Sequence, residues 1–307
     1  MRALWLLAMI PLLAAAAPPP CGMSLGFNQP DAGGSIQRPV WESKEREALL
    51  FADGLHVNTD GTKRSYSVDD FFGTKQALNT ICNAMAGYCT DLRTNGKSDP
   101  KKLAARAALL AQARDEGWPK AQLVETRLSS AVIVMPGGKP CPEQDGFLVS
   151  ATALTNPAVS DTCDLGRYLD ALAVAAIVIP SGGAFAAHGA RVGDLAVVLP
   201  VSGGAPVYAV VGDTGPSDEL GEGTVRLAQI LLNKPAPPAN YDEIRGRGLY
   251  KGKGWEMPLS AVLVFPGSRD AKNPYLTEAR IEAAGAALLT GWGGADRLRS
   301  CAADHAR

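Results

Sequence analysis

From Ala131 onward the chain sets short β-branched apolar runs between turn residues. These are AVIVM (131–135), GFLVS (146–150), AAIVIP (175–180), DLAVVLP (194–200), VYAVVG (207–212) and AVLVF (261–265). Runs with no polar interruption predict strands that are buried on both faces or closed into a barrel. Only one clear helix interrupts them, TVRLAQILL at 224–232, which is too few for an alternating α/β layout. Upstream the period changes. The segment DPKKLAARAALLAQARDEGW carries apolar residues at helical spacing and predicts a helix over 101–116, ended by Gly117 and Pro119. Ser67 with Asp70 resembles a capping box opening a helix across 68–86, and Asp60-Gly61 signals a hairpin between short strands. A last helix is expected over 277–291 with Thr277 as its cap, and NKPAPPANYDEIRGRG (233–248) as a surface loop. The expected fold is α+β and mainly β: a compact barrel-like core with peripheral helices.

The beginning of the chain does not join that core. Met1-Arg2 precedes ALWLLAMIPLLAAAA, a short apolar run with the shape of a secretory signal peptide, and Ala14 and Ala16 satisfy the small-x-small rule for cleavage after residue 16. The run is too short to span a bilayer well and nothing later replaces it, so a secreted or periplasmic protein with no membrane contact is expected. The prolines Pro18, Pro19 and Pro20 do not suit lipid modification of Cys21. Residues 17–45 read as an irregular lead-in, 46–269 as one catalytic domain, and 270–307 as a helix and tail packed on that domain, the whole acting as a monomer.

Composition narrows the partners. With 46% hydrophobic and 20% charged residues in 307, the chain has enough apolar surface for a sizeable core. The net charge is −1, and −2 once Arg2 is removed, which leaves no basic surface for nucleic acid. Six cysteines in an exported chain read as a disulfide set with fifteen pairings open. Nearness in sequence favours Cys82–Cys89 and Cys141–Cys163, leaving Cys21–Cys301 to tie the termini. A zinc site lacks support: no C-x-x-C occurs and His56, His188 and His305 lie far from the cysteines. Gly-x-Ser-x-Gly, the Walker loop, the dinucleotide fingerprint and His-Glu-x-x-His are missing too, so serine-hydrolase, nucleotide and zinc-protease readings lack support; a glycosidase reading of the chain needs no metal or organic cofactor.

The chemistry concentrates in VYAVVGDTGPSDELGEGTVRLAQILL (207–232), where Asp213, Asp218, Glu219 and Glu222 crowd together before the first cation, Arg226. Asp213 ends an apolar strand and Glu222 stands between Gly221 and Gly223 at the mouth of a helix. Hydrolysis of a glycosidic bond needs two carboxyl groups of this kind, one protonated for the leaving oxygen and one ionised to activate water. A self-satisfied Asp-Thr-Gly-Pro turn and a helix-favouring glutamate would account for the same residues without function. A helix N-terminus would also lower the pKa of Glu222, against its use as the acid, unless burial outweighs it.

The same stretch resembles the Gly-Asp-x-Gly-Pro…Gly-Glu-[Gly/Ala]-Ser signature of family 75 glycoside hydrolases, the fungal-type chitosanases. FADGLHVNTDGTKRSYSVDD, QDGFLVSATAL, RYLDALAVAAIVIP, RVGDLAVV and AVLVFPGS resemble further segments of that family in the same order, covering residues 50–268. The resemblance implies an inverting cleavage of β-1,4 bonds in chitosan, with Glu222 as proton donor and Asp213 as base. Thr224 stands where the family has serine, and the helix at 101–116 and the tail beyond 269 lie outside it. The Asp-Thr-Gly at a strand end also resembles the double-psi β-barrels of lytic transglycosylases, which makes a peptidoglycan-cleaving enzyme using Asp213 the second reading. A wall-binding module without catalysis is the third.

Around the pair, Asp218 and Glu219 would make the cleft attractive to the ammonium groups of chitosan, or simply form a solvated loop. Thr214, and Asp60 with Tyr66 in the segment resembling the family, are candidate substrate contacts; a turn and a strand aromatic would explain the latter two as well. Ser150 and Thr152 would meet sugar hydroxyls or decorate a strand edge. Trp118, Trp255 and Trp292 can stack on sugars or pack in the core. Asp194 reads as a turn residue.

Overall fold

The computed structural model describes residues 21–31, 36–45 and 47–305; the expected signal peptide, 1–16, lies outside them. Among these residues the strands are β1 (Met23–Pro30), β2 (Gln37–Ser43), β3 (Leu49–Gly54), β4 (His56–Asn58), β5 (Arg93–Thr94), β6 (Lys97–Ser98), β7 (Ala176–Pro180), β8 (Leu195–Pro200), β9 (Val207–Gly215), β10 (Glu222–Thr224) and β11 (Leu259–Phe265). The helices are α1 (Pro100–Asp115), α2 (Lys120–Thr126), α3 (Gly183–Ala187), α4 (Val225–Leu231), α5 (Tyr241–Ile244), α6 (Glu278–Trp292) and α7 (Gly294–His305). Nine strands form one sheet in the order β1-β2-β3-β11-β8-β9-β7-β10-β4, and β5 and β6 pair separately. Within the large sheet only β7/β9 and β10/β4 are parallel. The fold is mixed α+β with a large, mostly β sheet.

The apolar runs are explained by two covered faces. Successive strand residues point to opposite sides. Val198, Val262, Val211 and Ile177 pack on one side with Val225 and Leu227 of α4, Phe185 of α3 and Trp255. Val197, Leu199 and Leu263 pack on the other with Leu289 and Trp292 of α6 and Leu298 of α7. Among the described residues the ladder has two ends, β1 and β4, so closure into a barrel is not shown. Burial under helices on both faces gives the same unbroken hydrophobicity as a closed barrel would.

Several expectations change. AVIVM and GFLVS do not enter the sheet; they meet through the isolated bridge Ile133↔Ser150 beside Tyr66↔Leu148, in a satellite core with Tyr66, Ile81, Leu110 and Trp118. No α-helix covers 68–86, which holds two short 3-10 turns, Val68–Asp70 and Ile81–Ala84. Asp70 does not close a capping box: its carboxylate accepts the backbone N–H groups of Thr74, Lys75, Gln76 and Ala77 at 2.8–3.1 Å. Such side-chain to backbone bonds compete with helix formation. Asp60-Gly61 is a turn but not a hairpin, because β4 runs parallel to β10 and the chain then leaves the sheet. The lead-in is not irregular either. β1 and β2 form an antiparallel pair there, and Pro39 is tolerated because β2 pairs with β3 only at Trp41 and Glu42, leaving one side of Pro39 free of ladder bonds.

α1, α4 and α6 fall where helical spacing predicts them, and α7 adds a helix in the expected tail. The expected surface loop contains α5, whose cap Asn240 accepts from the Glu243 N–H at 3.0 Å. The three disulfides are Cys21–Cys301, Cys82–Cys89 and Cys141–Cys163, the pairing favoured by sequence nearness. Among the described residues no helix is long and apolar enough to cross a membrane.

Candidate active site

A cleft of about 870 Å³ is lined by residues of β4, β9 and β10 together with Tyr66, Tyr88 and Val132 of the satellite region. Asp213 and Glu222 both line it. They reach it from different strands through one shared neighbour: Val178 of β7 pairs with Asp213 on one side and with Glu222 on the other. Directly paired residues project from the same sheet face, so the two acids flank Val178 with their backbones about 10 Å apart, two inter-strand spacings.

A bulge sets this alignment. Ile177 pairs with Val211 but Val178 pairs with Asp213, so Gly212 is an extra residue in β9. Strict alternation would return Asp213 to the face of Val211, in the apolar core; the extra residue moves it to the face of Val178. Only glycine fits, since a Cβ at 212 would lie 2.8 Å from the Ala176 Cβ. Gly221 and Gly223 are required by packing: a Cβ there would meet Asp53 Oδ2 at 2.9 Å and Leu227 Cδ2 at 2.7 Å. Thr224, the N-cap of α4, fixes the other end of β10; its hydroxyl donates to Val174 O at 2.8 Å and accepts the Ala176 N–H at 3.0 Å.

Each acid keeps part of its surface open to the cleft while protein surrounds the rest. Burial pushes Glu222 up to about 7, with the Glu219 charge raising it further and a bond from Asn58 Nδ2 at 3.5 Å opposing. The net shift of Glu222 is upward, not the lowering expected from a helix N-terminus alone. Burial also pushes Asp213 up to about 6, restrained by the backbone N–H groups of Ala153 and Thr214, which donate to its Oδ1 at 2.9 and 2.8 Å. The two environments thus order the pair, with Glu222 holding its proton to higher pH.

Asp60 is a third acid in the cleft. Its carboxyl lies well above the usual range, first through burial and then through the Asp213 charge, with the Tyr66 hydroxyl bond pulling the other way. Asp60 Oδ1 is shielded and has no hydrogen-bond partner. A raised carboxyl holds its proton more readily, which eases the crowding of Asp60 against Asp213 and Glu222. Glu219 lines the cleft and is raised by burial and by Asp218, which is itself exposed and outside the lining. Thr214 is exposed at the cleft.

Other expected contacts are absorbed into the framework. Ser150 is fully buried and its Oγ accepts the Gly61 N–H at 3.1 Å. Thr152 is buried, donates to Leu154 O and accepts the Leu169 N–H, both at 3.0 Å. Neither lines the cleft. Trp118 and Trp292 belong to apolar cores; Trp255 underlies the cleft, fully buried, its indole donating to Glu243 Oε1 at 3.1 Å. Asp194, fully buried, caps a turn by accepting the Arg191 and Arg269 N–H groups.

Residues not singled out from sequence complete the cavity: Asn58, Asn79, Asn83, Tyr88, Tyr241, Arg245 and Glu256. Asn79 Nδ2 donates to the Tyr66 hydroxyl at 3.1 Å, tying the Asp60–Tyr66 pair to the satellite core. The lining holds five carboxyl groups, Asp60, Asp213, Glu219, Glu222 and Glu256, against one guanidinium, Arg245, and His56. Among the described residues no group of three or more His, Cys, Asp or Glu side chains is arranged to hold a metal ion. The arrangement can donate a proton from one strand, accept one on another strand across Val178 and attract a cationic chain. The sequence matches no protein-family model and no curated protein.

Proposed function

We propose that this protein is an exported glycoside hydrolase that cleaves β-1,4 bonds of chitosan or a related amino-sugar polymer by an inverting mechanism. The observation that carries this reading is the placement of Asp213 and Glu222 on either side of Val178, on one sheet face and in one open cleft, with differently raised pKa values. Glu222, protonated to about pH 7, donates to the glycosidic oxygen. Asp213, ionised above about 6, takes the proton of the attacking water. A spacing that admits water between acid and base is what inversion requires.

The acidic lining supports an ammonium-bearing substrate, and the resemblance of the 207–232 stretch to family 75 glycoside hydrolases supports chitosan among such polymers. Three disulfides and the leader-like first residues support export.

The test is incubation of the purified protein with chitosan, chitin and peptidoglycan, followed by fragment identification. New reducing ends on chitosan, abolished by Asp213→Asn and by Glu222→Gln with folding intact, support the proposal. Near-full activity of either variant refutes the assignment. Anhydro-sugar ends from peptidoglycan would point instead to lytic cleavage, and polymer binding without cleavage to a wall-binding module.

A further inference from the structure

One side chain of the cleft lining is conspicuous. Tyr88 is 56% exposed yet lines the cleft. It sits in a run of three left-handed residues, with φ of 79° at Gly87, 50° at Tyr88 and 58° at Cys89. Residues other than glycine disfavour this conformation, and two in succession persist only where the surroundings fix them. Here they do. Cys89 is buried in the satellite core and bonded to Cys82, seven positions earlier. The Tyr88 N–H donates to Met85 O at 3.1 Å and the Ala86 N–H to Arg127 O at 2.9 Å.

An exposed aromatic contributes little packing, so folding alone gives no reason to hold a tyrosine in a strained turn. Tyr88 shares the cleft with Glu219 and Glu222, and its phenol is raised by partial burial and then by their charges. Tyrosine offers a flat, rigid apolar face with few rotatable bonds and a polar tip, which suits the C–H face of a pyranose ring whose amino groups turn toward the acids.

We propose that Tyr88 is a stacking platform for one sugar unit of the substrate, held over the cleft by the Cys82–Cys89 disulfide. This rests on the reading of the cleft as an amino-sugar site. The platform contributes to binding rather than to the reacting bond, so its removal acts on KM.

The experiment measures kcat and KM of the full chain on a glucosamine hexamer for Tyr88→Ala, Tyr88→Phe and Tyr88→Trp, together with thermal unfolding. Tyr88→Ala is expected to raise KM roughly tenfold, the scale of one aromatic contact, while kcat and unfolding stay near wild type. Phe and Trp are expected to retain binding. Cys82→Ser/Cys89→Ser is expected to raise KM similarly and to add nothing on top of Tyr88→Ala; if that pair unfolds the chain, the aromatic series still decides. Unchanged KM for Tyr88→Ala, with Glu222→Gln still inactive, overturns the platform and leaves the hydrolase reading standing. A wild-type protein that neither cleaves nor binds the hexamer overturns both.

Discussion

At the scale of residues, the chemistry depends on how far each carboxyl group is removed from water. Glu222 and Asp213 titrate near about 7 and about 6, so the productive state, one proton on Glu222 and none on Asp213, is most populated between those values. The rate on chitosan should follow a bell with its acid limb set by Asp213 and its alkaline limb by Glu222, measured as kcat/KM against pH. The same shifts have a stability consequence. Both groups bind protons more tightly folded than unfolded, so their favourable contribution is complete below the ordinary carboxylate range. It is lost as pH rises through about 6 and about 7. Asp213→Asn and Glu222→Gln are therefore expected to raise the melting temperature above wild type at pH 8 and to leave it unchanged at pH 4. The acids themselves are legible in the sequence as candidates, because the 207–232 stretch resembles a two-carboxylate signature; on spacing alone a self-satisfied turn and a helix-favouring glutamate explain them as well. Asn58, Tyr88 and Tyr241 are not, since each reaches the cleft only through packing of distant segments.

At the scale of elements, the bulge at Gly212 links strand register to the placement of Asp213. Gly212→Ala should force the Ala176 contact apart, cost about 1–3 kcal/mol of stability as overpacking does, and turn Asp213 away from Val178. Denaturant unfolding checks the first effect and kcat the second, with a fall of at least tenfold expected; a variant that folds less well but keeps full kcat would free Asp213 from dependence on the bulge. Apolar runs announce the central strands β7, β8, β9 and β11 because both sheet faces are covered. The bulge is invisible in the same runs, because register belongs to the partner strand as much as to β9. The missing helix at 68–86 has a similar origin: Asp70 has four consecutive backbone N–H groups to satisfy, and sequence spacing alone resembles a cap.

At the scale of the whole molecule, the ends of the described chain are fastened together beside the sheet. Cys301 on α7 is bonded to Cys21, 280 positions away, and Arg297 Nε donates to Cys21 O at 3.2 Å. Closing so long a loop stabilises by roughly 2–5 kcal/mol through the unfolded chain, so Cys21→Ser/Cys301→Ser should lower unfolding free energy by that order. Activity below the new melting point should be retained, because both cysteines sit in the core formed with α6 and α7 and neither lines the cleft. β1 also serves the site: Gln29 Nε2 donates to Ser217 O at 2.8 Å and steadies the loop between the two acids. The mixed α+β class is legible in the sequence and nearness favours the observed disulfide pairing among fifteen, whereas the two unpaired ends of the sheet among the described residues are not legible, because helices on both faces and a closed barrel produce the same hydrophobic text. The central claim is that Asp213 and Glu222 act from opposite sides of a bound sugar with water between them. Proton NMR of the first product formed from a glucosamine hexamer tests it most directly: the account predicts the α-anomer first, and initial release of the β-anomer or of an anhydro end would contradict it.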